Sequence, residues 1–236
     1  MHLLVIGGSG RVGRMVLPHL AAHHRIRVLD LVVPPPGPWE HVVASVEDVE
    51  TVASNLADVD ALVYMAMNTQ DDWGSASTVA GAFDVNVKGL YLSLWAASDR
   101  GVGHVVFTSS LSVYRERDGL YPADSEAPDA TDFYGLTKRL GEEVCRSRVL
   151  ESGLTVTALR LCFPTPDDAP APTEPRFRAT TFTRAYDVAQ AILAGLEYRN
   201  GFEAITISGD AAENVTPLRK AKQLLDWQPT RPVGAP

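Results

Sequence analysis

The chain has 236 residues, enough for one large domain with a small annex, and its 45% apolar content is ordinary for a globular protein. Its 21 basic and 29 acidic residues leave a formal charge of −8. No Lys/Arg cluster stands out, which argues against nucleic acid and anionic membrane as partners. No apolar run reaches spanning length, Met1 leads directly into a strand, and Cys145 and Cys162 stand outside any metal-ligand spacing. These features predict a cytoplasmic protein without a signal peptide.

Leu3-Leu4-Val5-Ile6 reads as a strand buried on both faces. It runs into Gly7, Gly10 and Gly13, then into a helix over Arg11–His23, where Val12, Val16, Leu17 and Leu20 recur at helical spacing. Glycines let the backbone turn tightly and approach a pyrophosphate, and the unpaired N–H groups of the first helical turn favour an anion. The G-x-x-G-x-x-G spacing departs from the usual G-x-G-x-x-G fingerprint. A second strand, Ile26–Asp30, ends in an acid about 20 residues beyond the turn, where a carboxylate accepts from a ribose 2′-hydroxyl.

Pro34-Pro35-Pro36-Gly37-Pro38 must be a stiff loop. A third strand is predicted around His41–Val46 and a helix near Asp48–Leu56, followed by a buried strand over Asp60–Ala66. Met67–Ser75 reads as a polar loop, and one long helix carrying Asn86 is expected over about Ser77–Ser98. His104–Ser110 forms a fifth strand ending in hydroxyl residues. This alternation predicts a doubly wound parallel α/β sheet with ligands at the carboxyl ends of the strands, where Gly7, Asp30, Ala66 and Ser110 all fall. His19, His23 and His24 offer no third ligand and suit a helix C-terminus, so no metal is expected.

A helix over Thr131–Leu150 bears Tyr134-Gly135-Leu136-Thr137-Lys138, which puts Tyr134 and Lys138 on one face. A nearby ammonium is expected to lower the phenol's pKa toward the range of a working base. Ser110 is placed to hold a substrate oxygen beside it.

With these residues in view, the chain resembles the short-chain dehydrogenase/reductase superfamily, more narrowly its extended NAD-dependent epimerase/dehydratase branch. The resemblance rests on Gly7–Gly13, Thr108–Tyr114 and Tyr134–Lys138, and continues through Asn86-Val87-Lys88-Gly89, Leu159-Arg160-Leu161, Pro164, Asp187-Val188-Ala189 and Leu225–Pro229. It implies a single Rossmann domain over residues 1–236, with a small C-terminal substrate-covering lobe formed mainly by about 163–184 and 209–236. It implies Tyr134 as acid/base, Lys138 as its partner and holder of the nicotinamide ribose, Ser110 as orienting group, and Asn86 as an organiser of the surrounding elements. It implies NAD, with NADP second, held by Gly7, Gly10, Arg11, Val12 and Gly13 in the turn. Asp30, Ala66, Tyr134, Lys138 and Pro164 would complete that site. A homodimer is implied through helices 77–98 and 131–150.

The departures are specific. Ser45 stands where the family usually has an acid, and Arg115 where a glycine often follows Val-Tyr. The segment Phe163–Arg184 is short and rich in proline, whereas sugar-nucleotide enzymes of the family have a longer region there. The leading expectation is therefore an oxidoreductase acting on a secondary alcohol or hemiacetal of a small sugar or sugar acid. The alternatives are a sugar-nucleotide epimerase or reductase and, from another class, a non-catalytic dinucleotide-binding redox sensor. Thr108-Ser109-Ser110 lacks the acidic pair of dehydratases. Arg176, Arg178 and Arg184, flanking Phe177 and Phe182, are candidates to bind an acidic or hydroxylated substrate.

Overall fold

The computed structural model describes residues 1–68, 72–115, 120–170 and 181–231. Seven strands form one parallel sheet: β1 (His2–Ile6), β2 (Arg25–Asp30), β3 (Trp39–Val43), β4 (Ala61–Tyr64), β5 (His104–Ser110), β6 (Thr155–Leu161) and β9 (Phe202–Ile207), in the order β3-β2-β1-β4-β5-β6-β9. A separate ladder pairs β7 (Pro164–Thr165) with β8 (Thr183–Arg184). The strand order reverses between β1 and β4, which opens a crevice beyond their carboxyl ends.

Alternating strand side chains feed two cores. Leu3 and Val5 face α1 (Arg11–Ala21), α6 (Ala185–Glu197) and α7 (Arg219–Leu225). Leu4 and Ile6 face α2 (Val49–Ser54), α4 (Leu90–Asp99) and α5 (Phe133–Ser152). These four apolar side chains of β1 are at most 1% exposed. Each such burial is worth about 1.5–3 kcal/mol relative to exposure, which is why this strand reads as a continuous apolar run. Among the described residues no helix is long and apolar enough to cross a membrane.

Three expectations shift. The third strand is Trp39–Val43 rather than His41–Val46, because Trp39 pairs with Ile26 directly after the proline loop and its indole donates to the Pro35 carbonyl. The first helix stops at Ala21, and the His23 and His24 backbone N–H groups close the turn by donating to the Leu20 carbonyl. The single helix expected over 77–98 is three pieces: α3 (Ala76–Phe83), a π-helical turn (Asp84–Gly89) and α4.

The C-terminal part belongs to the first core. Leu218, Ala221, Leu225 and Trp227 pack into it, and the Trp227 indole donates to the Asp187 carbonyl. The Asp187 carboxylate accepts from the backbone of Thr230 and Arg231.

Candidate active site

A cavity of about 1250 Å³ lies over the carboxyl ends of β1, β2, β4 and β5. Gly7, Gly10, Arg11, Val12, Asp30 and Ala66 line one end, and Ser110, Tyr134, Lys138 and Pro164 are also in its wall. Residues 209–231 contribute none of the lining.

The glycine turn is shaped by close approaches. Gly7 has φ +87°, and a Cβ there would come within 2.4 Å of the Ala66 nitrogen. A Cβ on Gly13 would lie 2.3 Å from the Gly8 carbonyl oxygen, so only glycine lets α1 seat on the turn. Gly10 is the N-cap of α1; it has no side-chain cap, and the first turn of the helix contains no acid. The leading N–H groups therefore keep their capacity for an anion. At the end of β2 the Asp30 carboxylate accepts from the backbone of Ser9 at 2.8 Å and of Val32 at 3.1 Å. Arg11 reaches across to the Pro164 carbonyl at 3.5 Å.

At the other end, Asp132 caps α5 by accepting from the Gly135 N–H at 2.9 Å, which starts the helix so that Tyr134 enters the cavity. Ser110 lines the cavity with Tyr134, its hydroxyl accepting from the Ser112 N–H at 3.1 Å. Lys138 is 3% exposed and donates to the Thr108 carbonyl at 2.9 Å. Burial pushes its pKa down to about 8. The expected lowering of the Tyr134 pKa is corrected here. Burial raises it, the favourable influence of the nearby Ser110 hydroxyl opposes that only in part, and the Lys138 ammonium sits 6.0 Å from the ring centroid on its carbonyl partner.

Asn86, in the π-helical turn, donates to the Thr137 hydroxyl at 3.0 Å and accepts from the Asn68 N–H at 3.3 Å. It ties the loop after β4 to the helix carrying Tyr134 and Lys138. Arg184 does not line the cavity; its guanidinium donates to the Pro166 and Ala169 carbonyls. Arg176 and Arg178 lie outside the described residues. His19 pairs with Asp167 at 3.3 Å, and among the described residues no group of three or more His, Cys, Asp or Glu assembles to hold a metal ion.

Two features escape a reading of the sequence. Arg160 binds Glu142 with two hydrogen bonds, 2.9 and 2.8 Å, while Ser109 donates to the same carboxylate at 2.7 Å and Arg160 also donates to Tyr114. Glu142 lies one helical turn beyond Lys138, so this buried network fixes the wall on which Ser110 and Lys138 stand. That four-residue spacing is the clue the sequence offers. The second feature, Trp73 in the loop after β4, packs on Phe133 and Tyr134 with centroids 4.6 and 5.9 Å apart. Its sequence surroundings are those of a polar loop.

The donor set suits NAD. An uncapped glycine-lined helix terminus, a strand-end carboxylate and an ammonium with one carbonyl partner stand in order along one cavity.

Comparison with known proteins agrees. The model of the NAD dependent epimerase/dehydratase family matches residues 3–194. An N-acetyl-alpha-D-glucosaminyl-diphospho-ditrans,octacis-undecaprenol 4-epimerase of Escherichia coli O157:H7 is 33% identical over 148 residues, 61% of this chain and 43% of that protein. A UDP-glucose 4-epimerase of Lactobacillus helveticus is 28% identical over 170 residues, 68% of this chain and 51% of that protein. The chain thus spans about half the length of these curated relatives. The fold is shared with a short-chain dehydrogenase/reductase superfamily protein of Agrobacterium tumefaciens solved with NAD (TM-score 0.82, 21% identity, 97% of this chain and 92% of that one). It is shared also with a UDP-N-acetylglucosamine 4-epimerase of Bacillus cereus (TM-score 0.78, 19% identity, 97% and 91%). The chain is a member of the NAD dependent epimerase/dehydratase family.

Proposed function

We propose that this protein is an NAD-dependent enzyme that oxidises a ring carbinol of a diphosphate-linked sugar and reduces it again with inversion, as a sugar-nucleotide epimerase. The observation that carries the reading is that Tyr134, Ser110 and Lys138 line the same cavity as the glycine turn and Asp30. The relatives named as epimerases move it from net oxidation of a small sugar to epimerisation.

NAD supplies the hydride acceptor in this reading. Gly7, Gly10, Arg11, Val12 and Gly13 hold its phosphates, Asp30 and Ala66 its adenosine side, and Lys138 and Pro164 its nicotinamide side. Ser110 donates to the carbinol oxygen and fixes it against Tyr134. The Tyr134 phenolate takes the hydroxyl proton onto Oη during oxidation and returns it during reduction. Lys138, with only the Thr108 carbonyl as its acceptor among the described residues, would have N–H bonds left to hold the nicotinamide ribose and stabilise the phenolate. Asn86 holds the helix in place. Asp30 favours NAD, since it accepts from a 2′-hydroxyl and repels a 2′-phosphate.

Arg176 and Arg178 are assigned to the substrate's acidic part in the same reading. A homodimer through α4 and α5 belongs to it too, where Tyr91, Trp95 and Leu150 are 40%, 45% and 83% exposed.

A second reading, net dehydrogenation of a small sugar or sugar acid, is favoured by the short segment 163–184. It is favoured also by the pairing of Arg115, a cation of the cavity wall, with Asp129 at 3.3 Å. One panel separates the two: UDP-glucose, UDP-N-acetylglucosamine, UDP-glucuronate, glucose and glucuronate, each with NAD or NADP. Epimer formation from a UDP-sugar without net NADH accumulation supports the first reading. Stoichiometric NADH from a free sugar replaces it with the second. Tighter binding of NADP than NAD overturns the cofactor assignment.

A further inference from the structure

Trp73 is 52% exposed although it lines the cavity. Trp227 shows the contrast: it is 4% exposed, with its indole N–H on the Asp187 carbonyl. The Trp73 indole has no hydrogen bond among the described residues and packs on the two aromatic rings at the start of α5, with 47° and 56° between planes. The next residue, Gly74, has φ +91° and open space around it, so the chain turns away and leaves the indole standing at the cavity. A large apolar face left in water beside a reactive hydroxyl has its packing partner still to come.

The 5.9 Å between the Trp73 and Tyr134 rings limits what that partner is. A carbinol that meets the Tyr134 hydroxyl carries its own ring into the space beside the indole. A nucleobase, a ribose and two phosphates further along the same substrate, falls beyond it. An aromatic face carries negative potential, which disfavours phosphate or carboxylate there. A pyranose ring suits it, because its C–H bonds stand on the faces while its hydroxyls project around the rim. Stacking therefore covers apolar surface without stripping water from the hydroxyls.

We propose that Trp73 is the sugar platform of the site, receiving the C–H face of the hexose whose carbinol meets Ser110 and Tyr134. The inference rests on the reading that the substrate is a hexose derivative. Its test uses binding rather than turnover. Calorimetric titration of the NADH-saturated protein with UDP-glucose and with UDP gives the contribution of the hexose as the ratio of the two affinities. In the unmodified protein UDP-glucose should bind at least about fivefold more tightly than UDP; Trp73→Ala should reduce that ratio below about twofold while UDP and NADH affinities stay within about twofold. Trp73→Phe should retain most of the preference. An unchanged ratio in Trp73→Ala overturns the platform. So does equal weakening of UDP and UDP-glucose, which would make the indole a support for its loop, and so does the absence of any preference in the unmodified protein. Failure of the catalytic reading looks different: UDP-glucose then yields neither epimer nor NADH, while the binding ratio still responds to Trp73.

Discussion

The two helices that open onto the cavity begin in opposite ways. α1 starts at a glycine with no side-chain cap and no acid in its first turn, whereas Asp132 caps α5. The α1 terminus therefore recognises with backbone: its N–H groups and the shape left by missing Cβ atoms. The α5 terminus has its Gly135 N–H answered by Asp132, and offers side chains to the cavity, Tyr134 and Lys138 with Ser110. In the proposed function, one end of the cavity holds an anion and the other moves a proton. Substitutions should respect that division.

The largest effect is expected at the proton-moving end. Tyr134→Phe removes the titrating hydroxyl and should lower kcat by about 10²–10⁴ while NADH affinity stays within about twofold. Retention of more than about a tenth of kcat would mean that under ~1.4 kcal/mol of the barrier rested on that hydroxyl, and the division would fail.

The anion-holding end should respond through shape. Gly7→Ala forces a Cβ against the Ala66 backbone at positive φ, and should cost about 3 kcal/mol of stability together with NADH binding. Gly153→Ala is the control: its φ is +72° with nothing within 4 Å of the added carbon. It should cost about 1 kcal/mol and leave NADH binding intact. Equal costs for the two in urea unfolding would show that close approach contributes nothing.

A third effect, read through pH, reports how the side-chain end is maintained. Lys138 titrates at about 8 when folded, against an ordinary lysine value of 10.5. Below pH 8 both states are protonated and the burial cost is fully present. Between pH 8 and 10.5 the unfolded chain holds a proton that the folded chain has released, so stability rises with pH by up to about 3 kcal/mol. Lys138→Met should be more stable than the unmodified protein at pH 7, with the gap closing toward pH 10. A gap independent of pH in urea titrations would show that the ammonium is not destabilised by its site.

Legibility in the sequence divides the same way. β1, the glycine turn and α1 are readable because double-sided burial and missing Cβ atoms are properties of residue type and order. Tyr134 and Lys138 are readable as partners because four residues complete a helical turn. The direction of the Tyr134 shift is not, since it depends on how much of the cavity wall closes over the phenol. Arg184 looks like a substrate ligand by composition, yet its guanidinium is engaged by the carbonyls of Pro166 and Ala169. Trp73 is hidden in a polar stretch because exposure beside a functional group has no sequence period. The broken helix over 76–99 is hidden for a related reason: a π turn leaves no residue signature, and the periodicity on either side of it is ordinary.

That π turn has an evolutionary consequence. Asp84–Gly89 winds the chain more loosely than an α-helix, and the Tyr64 hydroxyl answers the Val85 carbonyl within it at 2.6 Å. Each residue advances an α-helix by about 100°, so a turn holding one extra residue resets the phase between the helical segments on its two sides. On the N-terminal side Gly81 faces the cavity; on the C-terminal side Leu90 and Leu94 fill the core. Excision of a single residue here would swing one of those faces out of register even if every remaining amino acid were unchanged. Descendants of this chain should therefore keep the number of residues in 84–89, along with Asn86, whose amide ties the β4 loop to the Tyr134 helix.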